Sequence, residues 1–407
     1  MVPDHARWNL KLAASPRKLR LAVVSPFLDK RHGTERRVCE WISGLADECE
    51  IVVYSQCVQD IDLRRITWRR IPKIRGPHLV NYLWWLAANH VWRGWDRHFR
   101  QIRADLVLSP GINCLDADVI SVHIVFAEYA KSVANDLKLR PHPLARWPQL
   151  LHRKAYYRLV ELLESRIYRN PQKVLVSIAQ RTNRELARHY GRQTPNPVIY
   201  LGLDHDMFNP ERRRSLRASA RRDLGYGDDR FVLLLIGNHL VNKGLPVLAQ
   251  AIGLVRELRV ELLLVSRENP EEYRSLIELL GGRVQLRKPR SDVEFYYAAA
   301  DAYAGPSLED TFALPPAEAM ACGLPVIVSA ENGACEIITH ESDGLILQDP
   351  LDASGLAGMI RRLYEDRDFR ERLGENARKT ALQYTWDRNA RELKAILEDA
   401  LRRKVKS

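Results

Sequence analysis

The segment from Pro306 to Ser329 reads PSLEDTFALPPAEAMACGLPVIVS, which predicts a loop, a short helix and a buried strand in that order. Pro315 and Pro316 suit the first turn of the helix, because proline presets φ and its missing N–H would have no partner there. Gly323 suits the left-handed residue that ends it. The free amides of Thr311–Leu314 and the positive end of the helix therefore predict an anion site at the mouth of a sheet.

Two carboxylates flank this predicted anion site. Asp310 precedes the helix and Glu318 lies inside it, eight residues later. This spacing would let Asp310 meet a sugar hydroxyl and Glu318 a ribose diol, with phosphates between them. Both residues also have a structural interpretation, because Asp310 suits a helix N-cap and Glu318 suits an exposed helix position.

Short apolar runs alternate with helix-period segments along the rest of the chain, which is typical of α/β architecture with parallel sheets. The strands predicted in the first half are Leu19–Ser25, Ile51–Ser55, Asp105–Ser109, Val119–His123, Val174–Ile178 and Val198–Leu201. Those predicted in the second half are Phe231–Ile236, Glu261–Val265, Val284–Leu286, Ala302–Ala304, Pro325–Val328 and Gly344–Leu347. Each half opens with a strand, a glycine loop (Gly33 or Gly244) and an amphipathic helix. We therefore expect two Rossmann-like domains that bind ligands at the carboxyl ends of their strands.

Composition narrows the classes of function. The G-x-G-x-x-G fingerprint is absent, which disfavours nicotinamide and flavin cofactors. None of the six cysteines form a C-x-x-C pair, so neither a zinc site nor a redox dithiol is indicated. No window approaches the roughly 20 apolar residues of a membrane span. The first 18 residues lack the apolar stretch of a signal peptide. We expect a protein that is either free in the cytoplasm or attached peripherally to the inner face of the plasma membrane.

Positive charge is concentrated in the first half of the chain. Residues 1–200 hold 33 Lys and Arg against 18 Asp and Glu, a net charge of +15, and the remainder carries −3. The two domains should therefore meet different partners. No nucleic-acid recognition motif accompanies this charge, and no nucleic-acid partner is expected.

An aromatic stretch at residues 79–95 lies within this basic half. Its aromatic residues are Tyr82, Trp84, Trp85, Trp92 and Trp95, and the nearby cations are Lys73, Arg75, Arg93, Arg97 and Arg100. The pattern is compatible with an amphipathic helix packed on its own domain. The alternative is an interfacial element that touches lipid headgroups, because Trp and Arg together suit that boundary.

The 306–329 segment resembles the E-x7-E region of the family 4 glycosyltransferases, which are retaining, metal-independent GT-B enzymes with nucleotide-sugar donors. The other matching motifs, in the family's order, are His32-Gly33-Thr34-Glu35, Ser177 with its following helix, Gly202-Leu203-Asp204, Phe208-Asn209-Pro210, Gly237 to Gly244, Asn332-Gly333, Glu336 and Asp343-Gly344. Together they cover most of residues 20–390. The resemblance implies a GT-B fold, in which two Rossmann-like domains face each other across a cleft.

The resemblance also implies residue roles. Glu318 would hold the ribose, Lys243 the pyrophosphate and Asp310 the sugar hydroxyls, while His123 would face the donor sugar near its reacting carbon. The amides of Phe312–Leu314 would meet the phosphate and sugar. The full donor-binding set would be Gly33, Asn238, Lys243, Thr311, Phe312, Ala313, Leu314 and Glu318. No metal site and no cofactor beyond the donor are expected.

Three positions depart from the family pattern. Asp310 stands where the family usually has Glu, so its contact with the sugar would be less direct. Asn238 stands where an Arg often accompanies the Lys, which leaves more of the phosphate charge to Lys243. His32 with Gly33 replaces the usual Gly-Gly pair of the N-terminal loop.

The expected activity is retaining transfer of a hexose from a nucleotide-diphosphate sugar to an acceptor. Residues 1–203 would form the acceptor domain and residues 204–385 the donor domain, with a helix at 386–407 crossing back onto the first. The basic first domain favours an anionic or lipid-linked glycan, such as a polysaccharide or lipopolysaccharide precursor. Two alternatives remain open: a non-hydrolysing nucleotide-sugar 2-epimerase, and a catalytically silent nucleotide-sugar-binding protein.

Overall fold

The computed structural model describes residues 17–30, 33–132, 143–192 and 196–406. They form two α/β domains, each built on a six-stranded parallel sheet. This architecture is the one that the alternating sequence pattern predicts. His32, one of the three departures from the family pattern, lies outside the described residues.

The N-terminal domain has the strand order β5-β3-β1-β6-β7-β8, with a separate two-stranded ladder of β2 and β4. Its strands are β1 (Leu19–Val24), β2 (Phe27–Leu28), β3 (Cys49–Ser55), β4 (Cys57–Val58), β5 (Thr67–Arg70), β6 (Leu106–Pro110), β7 (Val119–Val122) and β8 (Val174–Ser177). Its helices are α1 (Gly33–Leu45), α2 (His78–Phe99), α3 (Phe126–Ser132), α4 (Trp147–Tyr168) and α5 (Gln180–Tyr190).

The C-terminal domain repeats this plan in the order β11-β10-β9-β12-β13-β14. Its strands are β9 (Phe231–Ile236), β10 (Val260–Val265), β11 (Val284–Arg287), β12 (Ala302–Gly305), β13 (Val326–Ser329) and β14 (Leu345–Leu347). Its helices are α6 (Pro210–Leu224), α7 (Leu245–Leu254), α8 (Arg274–Leu279), α9 (Glu294–Ala299), α10 (Leu314–Ala321), α11 (Ala353–Glu365) and α12 (Arg367–Ala381), and α13 (Trp386–Lys406) follows them. The direction of strand order reverses between β9 and β12, so the loops after these two strands frame the crevice where such sheets bind ligands.

The central strands are buried on both faces. In β9, Val232 and Leu234 pack into one hydrophobic cluster and Leu233 and Leu235 into another on the opposite side. Helices cover both faces of a parallel sheet, so its strands read as continuous apolar runs. That is why β9 has the bounds predicted from sequence.

The predicted strands differ from the observed ones in two places at the sheet edges. Val198–Leu201 is not a strand, because only Val198 forms a bridge, with Ser177. The edge strand β5 was missed, since its sequence TWRR carries no apolar run and its side chains are exposed or half-buried. Edge strands bury little surface, so their sequences show only a weak hydrophobic pattern.

The two connections between the domains lie side by side, because Leu203 pairs with Thr385. Beyond Thr385, α13 packs on the N-terminal domain, where Leu393, Leu397 and Ala400 join its hydrophobic core. The Asn389 side-chain amide donates to the Tyr200 carbonyl oxygen. The last helix of the chain thus crosses from the second domain to the first.

Helix α2 carries the tryptophan-rich stretch and has two different faces. Trp85 is buried, and its Nε1 donates to the Asn113 carbonyl oxygen at 2.8 Å. Trp95 and Phe99 stack on each other with ring centroids 4.2 Å apart, and they are 56% and 69% exposed. The helix therefore packs on its own domain along one side and presents apolar rings to solvent on the other.

Candidate active site

The loops that follow β9 and β12 are packed directly against each other. Gly244 has φ of +84°, and a Cβ there would lie 2.1 Å from the Pro306 carbonyl oxygen. The side-chain amide of Asn242 donates to the Glu309 carbonyl oxygen at 2.7 Å. Only glycine fits this approach, and the result is a fixed corner that carries Lys243 over the 306–313 loop.

Lys243 and Asp310 meet at this corner. The Lys243 ammonium forms an ion pair and hydrogen bond with Oδ2 of Asp310. The two side chains are only 20% and 16% exposed, so water screens the pair poorly. Two residues to which the resemblance assigns the pyrophosphate and the sugar therefore lie in direct contact. A diphosphate bound here would share the ammonium with Asp310.

The loop from Asp310 to Ala313 is clamped by a neighbouring turn. The Asp310 amide donates to the Glu331 carbonyl oxygen at 3.1 Å, and the Gly333 amide donates to the Asp310 carbonyl oxygen at 2.9 Å. Oδ1 of Asn332 accepts from the Ala313 amide at 3.3 Å. These bonds fix the backbone of the predicted anion site.

Not every predicted amide is left for a ligand. The Ala313 amide, assigned to the phosphate and sugar from sequence, is already bonded to Asn332. Within the part of the chain that the structure describes, the amides of Thr311, Phe312 and Leu314 have no protein acceptor. They precede Pro315 and Pro316 at the start of α10, where the helix dipole favours an anion. Gly323, with φ of +70°, follows the end of this helix as predicted.

Glu318 lies on α10 and faces the N-terminal domain. Its side chain is buried, which raises the pKa of its carboxyl group, and Oε2 accepts from the Tyr297 hydroxyl at 2.7 Å. The Arg36 guanidinium, from α1 of the other domain, approaches Oε1 to 4.0 Å and Asp204 to 3.8 Å. Glu318 is thus reached from both domains.

Arg36 was not among the residues predicted from sequence. It follows the matched loop residues Gly33 and Thr34 within the first turn of α1, and that position is the only signal that could have pointed to it. Gly33 itself is exposed and begins the helix, and none of the described residues places an atom within 4 Å of where its Cβ would be. It therefore makes no close approach to the rest of the site.

Asn238 braces a neighbouring loop. Its Oδ1 accepts from the Arg267 amide at 3.1 Å and from the Ser266 hydroxyl at 3.4 Å. The side chain is exposed at the carboxyl end of β9. Its oxygen atom is already used within the protein, which leaves its amide nitrogen as the group that could meet a donor.

His123 follows β7 in the N-terminal domain. Its Nε2 bonds the Ser121 hydroxyl at 2.9 Å, and the Arg37 guanidinium lies 3.4 Å from the same hydroxyl. Burial, together with the charge of Arg37, holds the pKa of His123 well below its usual value of 6.5. The imidazole is therefore neutral near pH 7. Together with Thr34 it lines a small cavity in this domain.

The C-terminal domain caps a helix of the N-terminal domain. Oε2 and Oε1 of Glu336 accept from the amides of Gln180 and Arg181 at 2.6 and 2.8 Å, at the start of α5. A Cβ on Gly333 would lie 1.8 Å from the Thr311 carbonyl oxygen and 3.2 Å from Cβ of Ala179. The anion-site loop is thus held against both its own domain and the opposite one.

The described residues contain no group of three or more His, Cys, Asp or Glu side chains that could hold a metal ion. None of the helices in the described ranges is long and apolar enough to cross a bilayer.

Comparison with solved structures identifies the fold. The chain superposes on WaaG, described as a glycosyltransferase involved in lipopolysaccharide biosynthesis, with a TM-score of 0.67, 22% identity and coverage of 92% of this chain and 99% of that one. Sucrose-phosphate synthase from Thermosynechococcus elongatus gives a TM-score of 0.70 at 19% identity, covering 94% and 99% of the two chains. The chain has the fold of the GT-B glycosyltransferases. Anabaena Alr3699/HepE, solved in complex with UDP-glucose, shares this GT-B fold with a TM-score of 0.68 and 19% identity over 94% of this chain and all of that one.

Sequence comparisons match parts of the chain to known glycosyltransferases. Residues 217–380, most of the C-terminal domain, match the family model described as glycosyl transferases group 1. The D-inositol 3-phosphate glycosyltransferase of Corynebacterium kroppenstedtii is 31% identical over 257 residues, which cover 60% of this chain and 56% of the relative. The enzyme of the same name from Corynebacterium glutamicum is 30% identical over 242 residues, covering 56% and 57%. The match thus spans little more than half the length of these curated relatives.

Proposed function

We propose that the protein transfers a sugar from a nucleotide-diphosphate sugar to an acceptor with retention of anomeric configuration. The observation that carries the proposal is the pairing of the Lys243 ammonium with Asp310, the residue directly before the free amides at the start of α10. The family model of the C-terminal domain and the UDP-glucose complex of a protein with the same fold support a nucleotide-sugar donor. His123, Lys243, Asp310 and Glu318 would be the residues that act on it.

Departure of the nucleoside diphosphate is the step that the protein must assist. Cleavage of the bond between the anomeric carbon and the phosphate oxygen moves an electron pair onto that oxygen. Lys243 and the amides of Thr311, Phe312 and Leu314 are positioned to stabilise the negative charge that develops there. Because these groups supply positive potential themselves, the proposal needs no cofactor beyond the donor.

Retention follows if the acceptor attacks from the face that the diphosphate leaves. The departing phosphate oxygen takes the proton of the acceptor hydroxyl, and the hydroxyl oxygen bonds to the anomeric carbon on that same face. His123 is neutral, so it would orient the sugar by hydrogen bonding rather than contribute a cationic charge. No protein nucleophile is required.

Nucleotide binding tests the donor site. We expect one of UDP, GDP, ADP, dTDP or CMP to raise the melting temperature, because a ligand at about 100 times its Kd stabilises the folded state by about 2.7 kcal/mol. Glu318→Ala should reduce that increase, since Glu318 is assigned to the ribose. Differential scanning fluorimetry on the full chain measures both, and each variant is compared with its own nucleotide-free sample.

Glu375→Ala is the matched control, because Glu375 is an exposed glutamate on α12 of the same domain. It should retain the full nucleotide-dependent increase. An unchanged increase in Glu318→Ala would contradict the assignment of Glu318, and the absence of an increase with every nucleotide would contradict the donor.

The acceptor proposal rests on the first domain. An exposed apolar stripe runs along α2 and comprises Val80, Leu83, Val91, Trp95 and Phe99. Arg97 and Arg100 lie at the same end of the helix as Trp95, within the half of the chain that carries +15. Apolar rings beside cations suit the headgroup boundary of an anionic membrane. We propose that this face docks on such a membrane and that the acceptor is an anionic or lipid-linked glycan precursor.

Raising the salt concentration should weaken membrane binding more than nucleotide binding. We expect the protein to sediment with phosphatidylglycerol vesicles at low ionic strength and to be released as salt is raised, because screening weakens its attraction to the anionic surface. Trp95→Asp should weaken this binding. Leu254→Asp, at an exposed apolar position of the other domain, should not. If nucleotide binding and vesicle binding lose affinity equally with salt, the membrane proposal is wrong.

A further inference from the structure

A cavity of about 170 Å³ lies in the N-terminal domain, at the carboxyl ends of β6 and β7. Helices α2 and α4 form its opposite wall. The lining residues that matter here are Thr34, Tyr82, His123, Phe126, Tyr156 and Glu164. Thr34 is in the first turn of α1, the same turn that carries Arg36 towards Glu318. The cavity therefore adjoins the cleft in which the donor is proposed to bind.

Aromatic side chains form part of the cavity wall, and contacts between their rings hold them in place. The Tyr156 ring meets Tyr82 edge-on at a centroid distance of 5.4 Å and Phe126 at 5.9 Å. The Tyr82 hydroxyl donates to the Ile112 carbonyl oxygen at 2.7 Å. Tyrosines of this kind offer an apolar ring body together with a polar tip. A ring that carries both C–H bonds and hydroxyl groups complements such a surface.

The buried polar groups of the cavity are not cationic. Glu164 is 3% exposed and accepts from the Phe126 amide at 2.9 Å and from the Tyr190 hydroxyl at 2.6 Å. Burial raises the pKa of its carboxyl group to about 7. His123, also on the wall, is neutral near pH 7.

Among the described residues, no Lys or Arg lines this cavity. Arg37, whose charge acts on His123, is fully buried and donates to the Ile199 carbonyl oxygen at 2.8 Å. A phosphate or carboxylate entering the cavity would lose its hydration, would gain no cation from the described lining residues, and would face Glu164. An uncharged ring that forms hydrogen bonds does not pay that penalty.

The size of the cavity limits its occupant. Drug-sized ligands occupy pockets of roughly 300–1,000 Å³, so about 170 Å³ fits one small ring and not an extended oligosaccharide. We infer that this cavity is the subsite for the reacting ring of the acceptor, and that it takes an uncharged, hydroxyl-bearing sugar or cyclitol ring. Any anionic group of the acceptor then stays outside the cavity, on the basic surface of the domain. This inference rests on the proposed transferase function.

Filling the cavity should remove acceptor binding without affecting the nucleotide. Val160 lines the cavity and is buried on α4, whereas Leu162 on the same helix is exposed. We expect Val160→Phe to abolish binding and Leu162→Phe to leave it unchanged. The probes are myo-inositol, the methyl glycosides of glucose, mannose and galactose, and glucose 6-phosphate and mannose 6-phosphate. Saturation-transfer NMR on the full chain with saturating nucleotide diphosphate measures their binding.

The expected result is that at least one neutral ring binds and that Val160→Phe loses the signal. The sugar 6-phosphates should bind at least tenfold more weakly, because a phosphate this close to the ring would have to enter the cavity with it. Tyr156→Ala serves as a second variant should Val160→Phe fail to fold, and it should weaken binding at least tenfold. Binding that survives both variants, stronger binding of the phosphorylated rings, or no binding by any ring would overturn the inference. The nucleotide-dependent melting temperature, measured in parallel, reports separately on the proposed donor site.

Discussion

Replacing Lys243 with alanine is expected to lower kcat for sugar transfer by about 100- to 1,000-fold, the usual loss when one donor to a developing oxyanion is removed, equivalent to about 2.7–4 kcal/mol of barrier. Asp310 holds the ammonium next to the loop where the leaving diphosphate is proposed to bind. Its contribution should therefore be larger in the transition state than in the bound donor. Steady-state transfer kinetics, with the nucleotide diphosphate quantified as product, measure the effect.

Lys379→Ala is the matched control, since this lysine lies on α12 and its exposed ammonium contacts only the Asn376 side chain among the described groups. Its kcat should equal that of the parent protein. A Lys243→Ala variant that transfers sugar at the parent rate would show that the site has been assigned to the wrong residues.

Replacing Gly333 with alanine should damage both the fold and the activity. The added Cβ would lie 1.8 Å from the carbonyl oxygen of Thr311, a backbone atom that cannot rotate away. The loop that carries the anion-binding amides must therefore shift. Overpacking of this kind costs about 1–3 kcal/mol. We expect the free energy of unfolding, measured by urea denaturation, to fall by that amount and transfer activity to fall with it.

Gly358→Ala, in the same domain, is expected to have the opposite effect on stability. Gly358 is on the exposed side of α11, and nothing lies within 4 Å of the place of its Cβ. Alanine should stabilise the helix by about 0.5–1 kcal/mol and leave transfer unchanged. If Gly333→Ala is as stable and as active as Gly358→Ala, the anion-site loop is not held by the contacts described above.

Much of the C-terminal domain is readable from sequence because its strands are buried on both faces. Phe231–Ile236 is a continuous apolar run, and its observed bounds equal the predicted ones. Pro315, Pro316 and Gly323 mark the start and end of α10 through backbone constraints that act locally. At the sheet edges the apolar runs no longer coincide with the strands, which is why Thr67–Arg70 was missed and Val198–Leu201 was wrongly predicted.

The site is less readable than the fold because its decisive contacts join distant parts of the chain. The resemblance placed Lys243 and Asp310 in one site, but the ion pair between them depends on the packing of Gly244 against Pro306. No local pattern reveals that Asn332 occupies the Ala313 amide. The approach of Arg36 to Glu318 depends on how two domains face each other, which periodicity within either domain does not encode.

A crystal structure of the protein with the nucleotide diphosphate selected by thermal shift tests the central claim most directly. We predict that the diphosphate contacts the Lys243 ammonium and the free amides at Thr311, Phe312 and Leu314, and that Glu318 holds the ribose. Phosphates bound elsewhere, or an amino end of α10 directed away from the cleft between the domains, would contradict the account.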